Sequence, residues 1–217
     1  MSAGKRLFVG ARVSVHTANE LAACAETLAR RANDARIDVR WLPPPSYHVT
    51  LKFLGWTRDD ALAAVRDALD AAARGFSAMT FRTARLGAFA SLDRASIIWA
   101  GIDRGEPLAA LAEKIDAATA GLGFARETRA FHPHVSIGRV RETRSVREIV
   151  LPLAEQVFGE TSIDAITLFE SETKSSGSVY RELHRITFKA PEKAPERQSA
   201  PVELDETDDG WPRGRDQ

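Results

Sequence analysis

The sequence predicts an α+β fold of two pseudo-symmetric lobes, each a mainly antiparallel sheet with helices on its outside, and an active-site cleft between them. Two observations carry this. One is a pair of short strand-like segments, far apart in the chain, with the same order of residue types: His48-Val49-Thr50-Leu51 and His134-Val135-Ser136-Ile137. The other is that motif strands followed by helices recur in both halves of the chain, although the halves are not close copies. Side chains alternate between the faces of a strand. His48 and Thr50 therefore share one face and Val49 and Leu51 the other, and His134 with Ser136 and Val135 with Ile137 repeat the arrangement. Each segment presents an imidazole and a hydroxyl on a polar side and an aliphatic pair to a core. The two polar faces are expected to look at each other across the cleft.

In chain order, residues 6–15 form an apolar, β-rich run that reads as a first strand. A helix follows to about Asn33, with Thr17 as N-cap and Leu21, Ala25 and Leu28 on one face. Residues 37–41 make a short strand, and Pro43-Pro44-Pro45 imposes an extended approach to the motif strand at 47–54, which Gly55 ends. Thr57 or Asp59 caps a second helix to about Arg74, with Leu62, Val65 and Leu69 in one stripe and Gly75 closing it. Residues 79–88 and 95–102 read as a strand pair across the Ser91-Leu92-Asp93-Arg94 turn. A third helix spans 106–122 with Gly123 as its stop. The second motif strand, 133–140, is again approached through a proline. A short helix at 143–151, limited by Pro152, and strands at 162–171 and 180–188 complete the body.

The 217 residues suffice for one domain or two small lobes with a real core, and the body is assigned to residues 1–190. Net charge is zero but unevenly spread. Residues 191–217 hold eight Asp/Glu against four Lys/Arg and are rich in Pro, so they read as a disordered acidic tail, which leaves the body mildly basic. Cys24 is the single cysteine, which excludes a disulfide framework and fits a reducing cytoplasm; its helical spacing among alanines makes it core filler. The N-terminal apolar run is broken by Gly10 and Arg12, so it is neither a signal peptide nor a membrane span.

The chemistry follows from the polar faces. An imidazole titrates near neutrality, so two of them flanking one substrate atom make an acid and a base. Each proton-transfer role is typically worth roughly 10²–10⁴-fold in rate. A hydroxyl two residues on lies about 6–7 Å along the same face. That spacing suits a group holding one substrate oxygen while the histidine handles another. Neither strand carries Asp or Glu at these positions, which argues against a divalent metal held by carboxylates. The His132-Pro133-His134 pair has no third nitrogen or carboxylate nearby, so no metal and no cofactor are expected. His132 is read as a cleft-edge residue, and His16 and His184 as structural or exposed. Trp99 is read as core or cleft wall, and Phe53, Trp99 and Phe131 as core in preference to base-stacking platforms.

At this point the chain resembles the 2H phosphoesterases, which are defined by two His-x-Thr/Ser-x motifs with hydrophobic x. Within them it is most similar to the RNA 2′,3′-cyclic phosphodiesterases, once called 2′-5′ RNA ligases. The resemblance runs from about Lys5 to Phe188. It includes Arg6-Leu7-Phe8-Val9, Arg40-Trp41-Leu42-Pro43-Pro44, Phe53-Leu54-Gly55, Ile98-Trp99-Ala100-Gly101, Phe131-His132-Pro133-His134 and Leu168-Phe169-Glu170-Ser171 with Tyr180. Two departures are Ser136, where Thr is commoner, and Gly138, where Ala is usual. Ser keeps the hydroxyl but loses the β-branch that stiffens χ1.

The resemblance implies hydrolysis of a 2′,3′-cyclic phosphate, at an RNA 3′ end or on a nucleotide, to a 2′-phosphate. His48 is then assigned as proton donor and His134 as proton acceptor, with Thr50 and Ser136 on the non-bridging oxygens. The family motif also places an Arg at 139. Strict alternation puts Arg139 on the face opposite His134, so a phosphate contact requires a bulge near Gly138. The run Arg139 to Arg147 fits either an RNA backbone or a solvated face. The protein is expected to act as a monomer, away from membranes. Two alternatives stand beside this reading: a 2H phosphodiesterase acting on a small cyclic nucleotide or ADP-ribose cyclic phosphate, and a non-catalytic RNA-end binding module.

Overall fold

Among the described residues nine strands join in one antiparallel sheet, and its centre is where the two motif strands meet. The computed structural model describes residues 3–174 and 177–188. In chain order the elements are β1 (Gly4–Arg12), α1 (Val15–Asp34), β2 (Val39–Trp41), a 3₁₀ turn (Pro44–Ser46), β3 (His48–Arg58), α2 (Leu62–Ala73) and β4 (Met79–Phe89). Then come β5 (Ala95–Asp103), α3 (Glu106–Ala120), β6 (His134–Arg144), α4 (Arg147–Val150), β7 (Val157–Ile163), β8 (Ala165–Lys174) and β9 (Gly177–Thr187). The sheet order is β7-β4-β5-β6-β3-β1-β8-β9, with β2 paired to the side of β6. It reads as two four-stranded halves, β9-β8-β1-β3 and β7-β4-β5-β6, hinged on β3 and β6. These are the two lobes.

The lobes are not the two halves of the chain. α1 leaves β1 of the first lobe yet packs on β7, β2 and β6 of the second. α3 leaves β5 of the second lobe yet packs on β3 of the first, beside α2. β8 and β9 return from the second lobe to complete the first. One continuous hydrophobic cluster, running from Leu7 to Phe188, therefore serves both lobes.

Several boundaries differ from the sequence reading for identifiable reasons. Ser14, not Thr17, caps α1: its hydroxyl accepts from the Thr17 backbone N–H, while the buried Thr17 hydroxyl donates to the Glu160 carbonyl. α2 has no side-chain cap, because a 3₁₀ turn at Asp59–Ala61 leads into it and Asp59 pairs instead with Lys5 at 2.8 Å. Gly55 does not end β3. Its φ of +70° absorbs a bulge, and the strand runs on to Arg58. The helix expected at 143–151 is confined to α4 because β6 extends to Arg144. The single strand expected at 162–171 is two, β7 beside β4 in the second lobe and β8 beside β1 in the first, because the chain leaves one lobe for the other at Asp164. The tail from 191 onward and loop residues 175–176 lie outside the described residues. Among the described residues no helix is long and apolar enough to cross a membrane.

A buried ion pair fixes the approach to the second motif. Lys52 on β3 and Asp116 on α3 are 7 % and 8 % exposed and bonded to each other. Lys52 also donates to the Ala125 carbonyl, and Asp116 accepts from the Glu127 backbone N–H and pairs with Arg126 at 2.7 Å. Burial pushes the Asp116 carboxyl up, but the Lys52 and Glu127 hydrogen bonds and the Lys52 and Arg126 charges outweigh it and hold the group low. The loop that carries Phe131 to Pro133 is thus tied to the strand bearing His48. Removing one partner of a buried pair leaves the other uncompensated, so Asp116→Ala should lower stability by about 3–5 kcal/mol in urea unfolding. The double change Lys52→Met with Asp116→Leu should recover most of that loss.

Candidate active site

The lobes meet at one backbone pairing. Val49 of β3 lies opposite Val135 of β6, and both side chains are fully buried. Antiparallel continuation by one residue sets His48 opposite Ser136 and Thr50 opposite His134, all on the face away from the core. The four polar side chains form a rectangle. The histidines occupy one diagonal and the hydroxyls the other, and such diagonals span about 7–8 Å.

The His48 ring is held on every side. Its Nδ1–H donates to the Ser46 carbonyl at 2.6 Å, and the Thr50 hydroxyl donates to its Nε2 at 3.1 Å. It stacks on Phe8 with centroids 4.8 Å apart, meets Tyr180 edge-on at 5.1 Å and lies 6.1 Å from Phe169. Gly10 makes room for it. A Cβ there would come within 2.9 Å of the Val49 carbonyl and 3.2 Å of the His48 ring. His134 is held the same way in the other lobe. Its Nδ1–H donates to the His132 carbonyl at 2.7 Å, and Phe89 meets the ring edge-on at 4.9 Å, with Trp99 at 6.3 Å. In both rings a carbonyl two residues back fixes the Nδ1–H tautomer and leaves the Nε2 lone pair for the cleft.

These surroundings hold both rings neutral. Burial, with smaller contributions from the positive charges of Arg12, His134 and Arg139, brings His48 down to about 4 against the pull of its Ser46 hydrogen bond. Burial and the neighbouring His132 also lower His134, again opposed by a carbonyl bond.

Each motif strand then bulges at the same offset. Gly10 pairs with Thr50 but Val9 with Lys52, which leaves Leu51 unpaired. Trp99 pairs with Ser136 but Ile98 with Gly138, which leaves Ile137 unpaired. A one-residue bulge reverses the alternation beyond it. Lys52 and Gly138 therefore turn inward and are buried, while Phe53 and Arg139 emerge exposed on the histidine face. The bulge that a phosphate role for Arg139 requires is present. Phe53, expected in the core, is instead 69 % exposed, its ring 6.1 Å from Phe8. Arg12 stands directly across from His48, anchored by Glu182 at 3.0 Å and by the Pro45 carbonyl, with its guanidinium 5.1 Å above the Phe169 ring.

Comparison with known proteins bears on this arrangement. The family model of the 2′-5′ RNA ligase superfamily matches residues 14–175, most of the chain and both motif strands. The chain belongs to the 2′-5′ RNA ligase superfamily. A relative from Aeropyrum pernix, named RNA 2′,3′-cyclic phosphodiesterase, is 25 % identical over 154 residues, covering 69 % of this chain and 86 % of its own. One of the same name from Thermotoga maritima is 24 % identical over 183 residues, covering 84 % and 95 %. A Thermus thermophilus crystal structure shares the fold with a TM-score of 0.73 at 21 % identity, over 86 % of this chain and all of the other.

For this 2′-5′ RNA ligase superfamily member, the structure brings together His48, Thr50, His134, Ser136 and Arg139. Arg12 and Phe89 are site-lining residues that sequence reasoning missed, and for Arg12 the one available signal was its place on the first apolar strand; Phe8, Phe169 and Tyr180 stood in the resembling segments but were given no role. His132 is exposed at the cleft edge as expected, its ring 4.9 Å from Trp99. His184 pairs with Asp70 at 2.9 Å away from the motifs, and Cys24 is buried, its thiol raised to about 11 by burial. In an NMR pH titration the His48 ring should take up its proton near pH 4 and the His134 ring below 6.5. An anion between them favours the charged forms, so inorganic phosphate should move both midpoints upward. Gly10→Ala should displace the His48 ring and remove the separation of its midpoint from that of a free imidazole.

Proposed function

We propose that this protein hydrolyses the 2′,3′-cyclic phosphate at RNA 3′ ends to a terminal 2′-phosphate, as an RNA 2′,3′-cyclic 3′-phosphodiesterase. The supporting observation is the rectangle: two neutral imidazoles on one diagonal, two hydroxyls on the other, each ring with Nε2 toward the cleft. The names of the relatives at 24–25 % identity support the substrate class.

The phosphorus sits at the centre of the rectangle. His134 Nε2 takes a proton from water, the water oxygen bonds to phosphorus, and the P–O3′ bond opposite it breaks. His48 gives its proton to the departing O3′, so the phosphate stays on the 2′ oxygen. Thr50 and Ser136 hold the non-bridging oxygens, and Arg139 adds charge where charge builds. The His48 donor role needs a protonated ring, and in the free protein that ring is neutral above about pH 4. The substrate's own negative charge supplies the missing stabilisation. On its arrival the Thr50 hydroxyl turns from Nε2 to a phosphate oxygen, and Nε2 takes up the proton it will deliver. No metal is assigned a step. Among the described residues no three His, Cys, Asp or Glu side chains cluster as ligands.

An oligonucleotide ending in 2′,3′-cyclic phosphate should be converted in the presence of EDTA, and His48→Ala and His134→Ala should each lose roughly 10²–10⁴-fold in kcat. Activity that disappears with chelator, or variants that retain full turnover, would reject the mechanism. Both free-enzyme ring pKa values are lowered, so the bell-shaped profile of kcat/KM should peak below pH 6.5. The profile of kcat, which reports the complex, should peak higher. The bell cannot divide the roles, since its limbs belong to the pair. A substrate with sulfur in place of O3′ can: its leaving group needs no proton. It should restore most of the activity of His48→Ala and none of that of His134→Ala. The reverse rescue would exchange the two roles.

A further inference from the structure

Arg40 and Arg139 stand directly opposite each other in the β2–β6 ladder. Like charges so placed repel and destabilise a sheet. Elsewhere along this basic stretch the charge is neutralised or tied down. Arg141 pairs with Asp38 at 3.2 Å, Arg147 with Asp93 at 2.8 Å, and Arg144 donates to the Arg36 carbonyl. Among the described residues neither Arg40 nor Arg139 has a carboxylate partner. Their pairing makes sense if an anion completes it.

The placement of Arg40 narrows what that anion is. Val39 and Trp41 pack on the Gly138 side, where a Cβ would come within 2.9 Å of Val39 and 3.0 Å of Trp41, so Arg40 is on the opposite, cleft face with Arg139. Its guanidinium lies against Gly177 of β9, in the space a side chain there would fill. Arg40 is half-buried and reaches from a strand of the second lobe to a strand of the first. It stands one strand farther from β5 than Arg139 does. A single terminal phosphate between the histidines occupies Arg139 and leaves Arg40 without an anion.

We propose that Arg40 forms a second phosphate subsite, which binds the phosphodiester preceding the cyclic end, so that the RNA strand leaves the cleft over β2. This rests on the reading of the site as one that acts on RNA ends. It makes the substrate an oligonucleotide in preference to a cyclic mononucleotide, since only the former has a phosphate to place there. Arg40 is a specificity residue. It touches neither the reacting phosphorus nor the histidines.

The test compares a 2′,3′-cyclic mononucleotide with a short oligonucleotide ending in the same group. The wild type should have the higher kcat/KM on the oligonucleotide. Arg40→Gln should reduce that preference about tenfold, mostly through KM, and lower the salt dependence of oligonucleotide kcat/KM by about one phosphate contact. An oligonucleotide with an uncharged methylphosphonate at the preceding link should show the same loss on the wild type, and no further loss on Arg40→Gln. Equal losses on both substrates would overturn the subsite by making Arg40 structural. An unchanged preference, or additive effects of variant and methylphosphonate, would overturn it as well. Fluorescence anisotropy with the 2′-phosphorylated product oligonucleotide needs no turnover, so it separates this inference from the proposed reaction. Weaker binding by Arg40→Gln that the methylphosphonate abolishes supports the subsite even if no hydrolysis is seen, and equal binding sinks it.

Discussion

A single backbone pairing, Val49 with Val135, holds the site together. Both side chains are at 0 % exposure, so neither strand can slip by one residue without turning a valine out and a histidine in. The penalty for such a slip is the burial of polar groups and the loss of apolar burial together, which sets the register more firmly than any hydrogen bond. Everything polar in the cleft inherits that register. The histidines lie on one diagonal because the strands are antiparallel. Parallel strands in the same register would have put them side by side.

The aromatic walls have an electrostatic consequence. Phe8, Phe169 and Tyr180 enclose His48, while Phe89 and Trp99 enclose His134. Removing water from an imidazole disfavours its charged form. For His48 the fall from 6.5 to about 4 corresponds to about 3 kcal/mol against protonation. Arg12 and Arg139 add to this, and under the proposed function they are the groups that attract an anion to the site. In the proposed reaction the same cations thus oppose charge on the ring before the phosphate arrives and draw in the charge that reverses the balance.

Much of this was legible in the sequence, because the motif strands and helices announce themselves by period. His48, Thr50, His134 and Ser136 fall on one face by alternation alone, and the stripe Leu21, Ala25 and Leu28 is buried as its spacing requires. What lay beyond the hydroxyls was not legible. A bulge is a property of two strands paired together, and residues 51 and 137 carry no mark of it: Leu and Ile are ordinary strand residues. Reading straight through them puts Lys52 in the cleft and Phe53 in the core, the reverse of what the fold does. Gly138 was the one visible hint of a bulge, and together with the family motif it kept Arg139 in view. The exchange of helices between lobes was also hidden. The stripes of α1 and α3 say that each helix is buried on one side, not which sheet it covers.

The bulges also show how a pseudo-symmetric scaffold can present two unlike ends to a substrate. Up to Leu51 and Ile137 the two motif strands match position for position: imidazole, valine, hydroxyl, aliphatic. Past that point they part. The first lobe turns Lys52 inward to Asp116 and presents an apolar ring, Phe53. The second buries Gly138 against Val39 and Trp41 and presents a cation, Arg139, beside a second cation, Arg40. The proposed hydrolysis wants near-symmetry at the phosphorus, where attacking and leaving oxygens lie in line, and the matched halves of the motifs offer it. Recognition of the proposed substrate wants the opposite, because a nucleotide end is apolar on one side and charged on the other. Placing the divergence one residue beyond the hydroxyls leaves the reacting rectangle intact while its two ends differ. The bulge, by reversing the alternation, brings those differences to the face where a substrate meets them.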